Sequence, residues 1–237
     1  MARLPILMYH NVNKYNNKSK GLTISEQKLE QQLRYLSTNN FTTYHLSQLE
    51  NMLSIPLKSI VITFDDVTTN QLLYAVPLLK KYNLKATFFV PFAYIGKSDL
   101  WNEGSESIMD MDKLLSLDND TIELGYHSYQ HRNYAGLNDD EIAADFEQCN
   151  EIILQSGLNV YPAVAYPYGK YPKKEPSKSQ FKKQLEKSGI KMGLKIGNRL
   201  NKFPFPDKYE IRRIDIKGED GLFKFRLKLK FGKLKLF

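Results

Sequence analysis

Ser59-Ile-Val-Ile-Thr-Phe-Asp-Asp66 is the stretch on which the reading of the fold turns. Five of the six residues ahead of the acidic pair are apolar or β-branched, as in a buried strand. Two adjacent carboxylates then stand where that strand should end. Neighbouring side chains of a strand point to opposite sides, but a turn at its end brings both into one pocket. Carboxylates held that close repel unless a cation or a proton separates their roles. One can then bind a metal while the other works as a base. The competing reading is a strand that ends in a solvated Asp-Asp turn.

Working outward, residues 5–9 read as a first strand with His10 at its end, followed by a polar loop over 11–21. Thr23 or Ser25 can cap a helix that places Leu29, Leu33 and Leu36 on one face. A short strand over 41–44 and a helix over 46–53 lead into the Asp-Asp strand. Downstream, residues 71–82 have a helical pattern that Pro77 either kinks or restarts. Strands over 85–90, 121–125, 160–166, 191–196 and 209–216 alternate with helices near 111–117, 138–155 and 179–188. Asn138 can cap the clearest of these helices and Gly157 stops it. The alternation argues for a parallel α/β fold. Seven or eight strands fit a closed, distorted (β/α) barrel, and 237 residues suit a single domain of that kind. The expected division is a barrel over 1–216 and a basic, apolar tail over 217–237. From Phe223 to Phe231 the tail alternates strictly, and period two predicts an edge strand.

The net charge is +8, and six positive charges with no acid fall within residues 223–237, leaving only +2 for the rest. No general nucleic-acid surface is therefore expected. A basic tail of this kind is suited to peripheral contact with an anionic leaflet. The first ten residues hold too short an apolar run for a secretory signal, and no stretch reaches the length of a membrane span. The expected location is cytoplasmic, at the inner face of the membrane. The single cysteine, Cys149, excludes an internal disulfide and a cysteine metal cluster; its place in a helical stretch assigns it to packing.

The chain has four histidines: His10, His45, His127 and His131. His45 begins a predicted helix and reads as a surface or capping group. His127 and His131 directly follow a predicted strand, and their spacing on a helical turn would put both imidazoles on one side. In α/β barrels catalytic groups gather at the C-terminal ends of the strands, which would bring the histidine pair to the aspartate pair. Two imidazoles and a carboxylate form a catalytic metal set with positions left for water and substrate. Zinc is the default ion, with cobalt, nickel, manganese and iron as alternatives of compatible ligand chemistry.

Thr63-Phe-Asp-Asp66, His127-Ser-Tyr-Gln-His131 and Tyr166-Pro-Tyr-Gly169, in this order, resemble the motifs of the polysaccharide deacetylase family of carbohydrate esterases. The resemblance spans roughly residues 4–216. It implies a distorted (β/α) barrel and metal-dependent removal of acetyl groups from N-acetylated sugars, so an acetylated glycan is the expected partner. By motif, Asp65 resembles the catalytic base. Asp66, His127 and His131 resemble the metal ligands, and Tyr168 resembles the residue whose backbone N–H helps bind the oxyanion. The opening Leu7-Met-Tyr-His10 is similar to the subgroup acting on poly-β-1,6-N-acetylglucosamine, which implies that His10 supplies the leaving-group proton. No histidine follows His131 to take that part from a late strand.

Two departures stand out. Ala165 occupies the place of an arginine that steers the base in the family, so Arg212 or Arg213 is expected to orient Asp65. Val67 replaces the usual glycine after the acid pair, and a β-branched residue resists positive φ, so that turn is expected to be built differently. Trp101 and Tyr94 offer aromatic faces to a sugar ring, with core packing as the competing role. O-acetyl ester hydrolysis and a non-catalytic carbohydrate-binding barrel are the alternative functions. No Gly-x-Ser-x-Gly elbow of a serine hydrolase is present.

Overall fold

The computed structural model describes residues 2–232. Strand β1 (Ala2–Leu4) precedes β2 (Ile6–Tyr9). The short pair β3 (Asn11–Asn13) and β4 (Thr23–Ser25) then delivers the chain to α1 (Glu26–Thr38). Ser25 caps α1, its Oγ accepting from the Lys28 N–H. β5 (Thr42–Thr43) and α2 (Leu46–Leu49) lead to the acid-bearing strand β6 (Ser59–Asp65). Next come α3 (Val76–Lys81), β7 (Ala86–Val90), α4 (Met111–Leu115), β8 (Ile122–Tyr126) and the long α5 (Asp139–Ser156). β9 (Val160–Ala165), α6 (Ser177–Lys187), β10 (Met192–Ile196), β11 (Asn201–Phe203), β12 (Ile211–Asp215) and α7 (Leu222–Phe231) complete the chain.

Seven parallel strands close into a barrel in the order β2, β12, β10, β9, β8, β7, β6, and pairing of β2 with β6 shuts it. β5 extends the sheet beside β6, while β1 and β11 form a separate antiparallel ladder. The pleat explains why the strands read as unbroken apolar runs. Val61 joins Ile6, Phe89, Ala163 and Leu194 in one core, which the parity of these strands puts inside the barrel. Its neighbours Ile60, Ile62 and Phe64 join a second core under the helices with Leu33, Leu79 and Phe146. With both faces of β2, β6, β7 and β8 covered, polar residues survive inside only where they have partners.

Of the two readings offered for 71–82, the restart holds: a wide π turn, Gln71–Ala75, runs into α3, with Pro77 in its first turn, where a missing N–H costs little. Two other local expectations need correction. The predicted helix over 46–53 is only the single turn of α2. The tail is not an edge strand over the described residues but helix α7. Phe225 and Leu229 are spaced by four as well as by an even number, so the same residues satisfy a helical face. Both are buried, and Phe225 meets Tyr35 of α1 edge-on at 6.3 Å. Burial of two such side chains stabilises the helix by about 1.5–3 kcal/mol each. Residues 233–237 of the tail lie outside the described residues. Among the described residues no helix is long and apolar enough to cross a membrane.

Candidate active site

The ends of β2, β6, β8, β9 and β12 meet at one rim of the barrel. Asp65 is the last residue of β6 and has the inward parity of Val61 and Thr63. Asp66 and Val67 follow with φ of +77° and +43°, so two successive left-handed residues turn the chain. The expectation of a different turn at Val67 is overturned. Val67 is fully buried, and its carbonyl accepts the Met109 N–H at 2.9 Å; packing and this bond hold a conformation that costs about 1–2 kcal/mol in a β-branched residue.

Asp65 is clamped by Arg213 of β12. Nη1 and Nη2 donate to its two carboxylate oxygens, the latter at 2.8 Å, and Nη1 also reaches Thr63 Oγ1 at 3.3 Å. The choice between Arg212 and Arg213 is decided by the pleat: Arg213 shares the inward parity of Ile211, and Arg212 points outward. Ala165, also inward, leaves the place of the motif arginine to a side chain from two strands away. His10 Nε2 lies 3.6 Å from Asp65 Oδ2. Burial raises the Asp65 pKa, but Arg213, His127 and His10 outweigh it and hold the carboxyl well below its usual range. Gln71, fully buried, donates to both the His10 and Asp65 carbonyls and so ties the ends of β2 and β6 together.

Asp66 faces the histidine pair. Its Oδ1 lies 3.4 Å from His127 Nε2 and 3.5 Å from His131 Nε2. Donors about 2 Å from a tetrahedral ion stand roughly 3.3 Å apart. The three donor atoms lie within 4.8 Å of one another, and Asp66 Oδ1 is buried with no hydrogen-bond partner. An acceptor left bare in this way fits a cation. His127 Nδ1 is 2.8 Å from the Ala165 carbonyl, so it carries the proton and turns the lone pair of Nε2 to Asp66. Burial pushes the His127 pKa down to about 4, against the pull of Asp65, which keeps the imidazole neutral as a ligand must be. Burial raises Asp66 too, but His131, His127 and His10 hold it below its usual value.

The histidine pair is not on a helical turn. It lies on an irregular loop in which Ser128 and His131 have φ of +68° and +53°. Asp145 of α5 holds that loop, accepting from Ser128 Oγ, the Tyr129 N–H and Tyr134 Oη at 2.7–3.0 Å. Trp101 stacks on His131 at 4.1 Å and 13°, with Tyr94 edge-on behind it, so the tryptophan braces that imidazole. Tyr168 meets His131 from another side, edge-on at 4.8 Å, and is half exposed. Its φ of +58° turns the Pro-Tyr-Gly segment, and among the described residues its N–H has no backbone acceptor. His45 is the N-cap of α2, as the capping reading has it, its N–H donating to Gln48 Oε1 at 2.9 Å, and it is buried rather than on the surface, with Nε2 3.1 Å from the Thr121 carbonyl.

A sequence model of the polysaccharide deacetylases matches residues 54–192. YxkH of Bacillus subtilis, assigned to the polysaccharide deacetylases, is 27% identical over 174 residues, covering 72% of this chain and 58% of its own length. The poly-β-1,6-N-acetyl-D-glucosamine N-deacetylase of Staphylococcus aureus is 23% identical over 184 residues, covering 69% and 63%. The chain thus spans roughly three-fifths of these relatives. The deacetylase PplD of Streptococcus pyogenes superposes with a TM-score of 0.80 at 19% identity, over 96% of this chain and 98% of that one. IcaB from Ammonifex degensii gives 0.75 at 22% identity over 92% and 93%. These last two likenesses concern the fold. The family's sequence pattern runs from ahead of β6 to the start of β10, through both acids and both histidines, and this chain belongs to the polysaccharide deacetylase family.

Proposed function

We propose that the chain is a metal-dependent hydrolase that removes N-acetyl groups from N-acetylhexosamine units of a polysaccharide or glycan intermediate. The convergence of Asp66, His127 and His131 beside an arginine-clamped Asp65 carries this reading. The name of the Staphylococcus aureus relative favours N-acetyl-D-glucosamine as the sugar. Asp66, His127 and His131 would hold a divalent ion, zinc first among the candidates. When bound, that ion supplies Lewis acidity, polarising an acyl carbonyl and lowering the pKa of water.

The chain's own residues supply the rest. Asp65 accepts a proton from the attacking water, and the Arg213 fork keeps the carboxylate ionised and fixed in direction. The Tyr168 N–H donates to the oxygen that becomes negative as the amide carbon turns tetrahedral. His10 would protonate the departing nitrogen, since an amine leaves poorly as an anion, and its position 3.6 Å from Asp65 supports that role. The test is acetate release from N-acetylglucosamine oligomers by zinc-loaded protein, before and after chelation. Release that stops on chelation and returns with zinc supports the proposal. Release from acetyl esters alone transfers the reading to an esterase, and binding without release from either substrate class refutes catalysis.

A further inference from the structure

The near-neutral average of the body conceals two opposed regions. Residues 1–169 hold 13 Lys and Arg against 19 Asp and Glu, whereas residues 170–213 hold 14 against 4. Part of that excess lines a cleft of about 680 Å³ beside the β1–β11 ladder and the start of β12. Arg3, Arg199, Lys202 and Arg212 line it together with Ile211 and Phe205.

Three observations give these cations a purpose beyond solubility. First, among the described residues none of the four forms an ion pair. The two acids in the lining are engaged elsewhere, Glu210 with Lys178 and Lys195 at 3.1 Å each and Asp207 with Lys182. Second, Arg3 and Lys202 stand directly opposite each other in the β1–β11 register. Like charges in that position weaken a ladder, and an anion between them removes the conflict. Third, Gly197 makes room for Arg212: a Cβ there would come within 2.7 Å of Arg212 Cγ, so the glycine lets the arginine stem lie where it does.

We propose that this cleft binds a phosphate-type anion. Three guanidinium forks and an ammonium match a multiply charged phosphate or diphosphate better than one carboxylate. The volume leaves space for what the phosphate carries. The source is a phosphate on a glycan or a phosphate headgroup of a lipid. The cleft is separate from the candidate active site, because none of His10, Asp65, Asp66, His127, His131, Tyr168 and Arg213 lines it. The inference stands whether or not the protein hydrolyses amides.

The test is calorimetric titration of the full chain with inorganic pyrophosphate at low salt, with no turnover measured. Wild type is compared with Arg199→Ser/Arg212→Ser. A control, Lys173→Ser/Lys174→Ser, removes the same charge from exposed lysines outside the cleft. The expected result is saturable binding that weakens about tenfold or more in the arginine variant and less than about twofold in the control. Absence of saturable binding to wild type, or equal weakening in both variants, overturns the site. Sedimentation with phosphatidylglycerol vesicles then separates the sources. Loss of vesicle binding in the arginine variant alone assigns the lipid headgroup. Unchanged vesicle binding beside lost pyrophosphate binding assigns a phosphate on the glycan.

Discussion

Arg213 is 1% exposed, and Asp65 supplies its only ion pair among the described residues. Two charges removed from water are stable there only because each satisfies the other. Arg213→Met leaves a bare buried carboxylate and is expected to destabilise the fold by about 3–5 kcal/mol, measured by denaturant unfolding. Arg213→Lys retains the charge but not the two-pronged grip. It is expected to recover part of the stability while acetate release stays at least about tenfold below wild type, since an unfixed base is misdirected. Equal recovery of both would mean that Arg213 acts as a charge and not as a guide. Here the sequence was half legible: it offered Arg212 and Arg213, and the parity shared with Ile211 separates them. Gln71 and Asp145 were not legible. Their partners lie up to 61 residues away, at separations that no local period encodes.

At the scale of elements, the loop after β8 depends on α5. Asp145→Ala removes two hydrogen bonds from the segment between His127 and His131, at Ser128 and Tyr129, and a third from Tyr134 just beyond it. Zinc affinity, read by competition with a chelator, is expected to fall about 10–100-fold, and an unchanged affinity would show that the loop holds itself. Helix α7 has a comparable anchor. Lys228 is buried and donates to Asp220 and to the Asp215 carbonyl. Asp220→Ala strands that ammonium and is expected to cost about 3–5 kcal/mol, seen as a lowered melting temperature. This helix defeated the sequence pattern because alternating Phe/Leu and Lys put the same two residues, Phe225 and Leu229, on one face under either period. The histidine pair misled differently. Its spacing was read as a helical turn, while left-handed residues and Asp145 produce the convergence.

Across the whole molecule, the barrel was legible because β2, β6, β7 and β8 are buried along their whole length and so appear as short, mostly apolar runs between turns. The closing pair, β2 with β6, follows from the count of strands rather than from any one residue. Charge links the later elements. Burial raises the Glu210 pKa, but hydrogen bonds from Tyr171, Lys178 and Lys195 win and hold it well below the usual range, joining β12 to α6 and β10. A carboxyl depressed in the folded state contributes stability above its unfolded pKa, about 4.3, and loses it as pH falls through the lower folded value. Glu210→Gln is therefore expected to be less stable than wild type at pH 7, by about 1 kcal/mol. Melting curves taken at falling pH should converge below pH ~4; a constant gap would remove the ionised carboxylate from the account.

Under the proposed function the adjacent acids at the end of β6 have separate tasks, Asp66 holding the metal and Asp65 moving the proton. The most direct test is zinc stoichiometry and acetate release measured together on Asp65→Asn. The account predicts one zinc bound per chain, as in wild type, with release from N-acetylglucosamine oligomers lowered about 10²–10⁴-fold. Release at the wild-type rate, or loss of the zinc itself, would contradict that division.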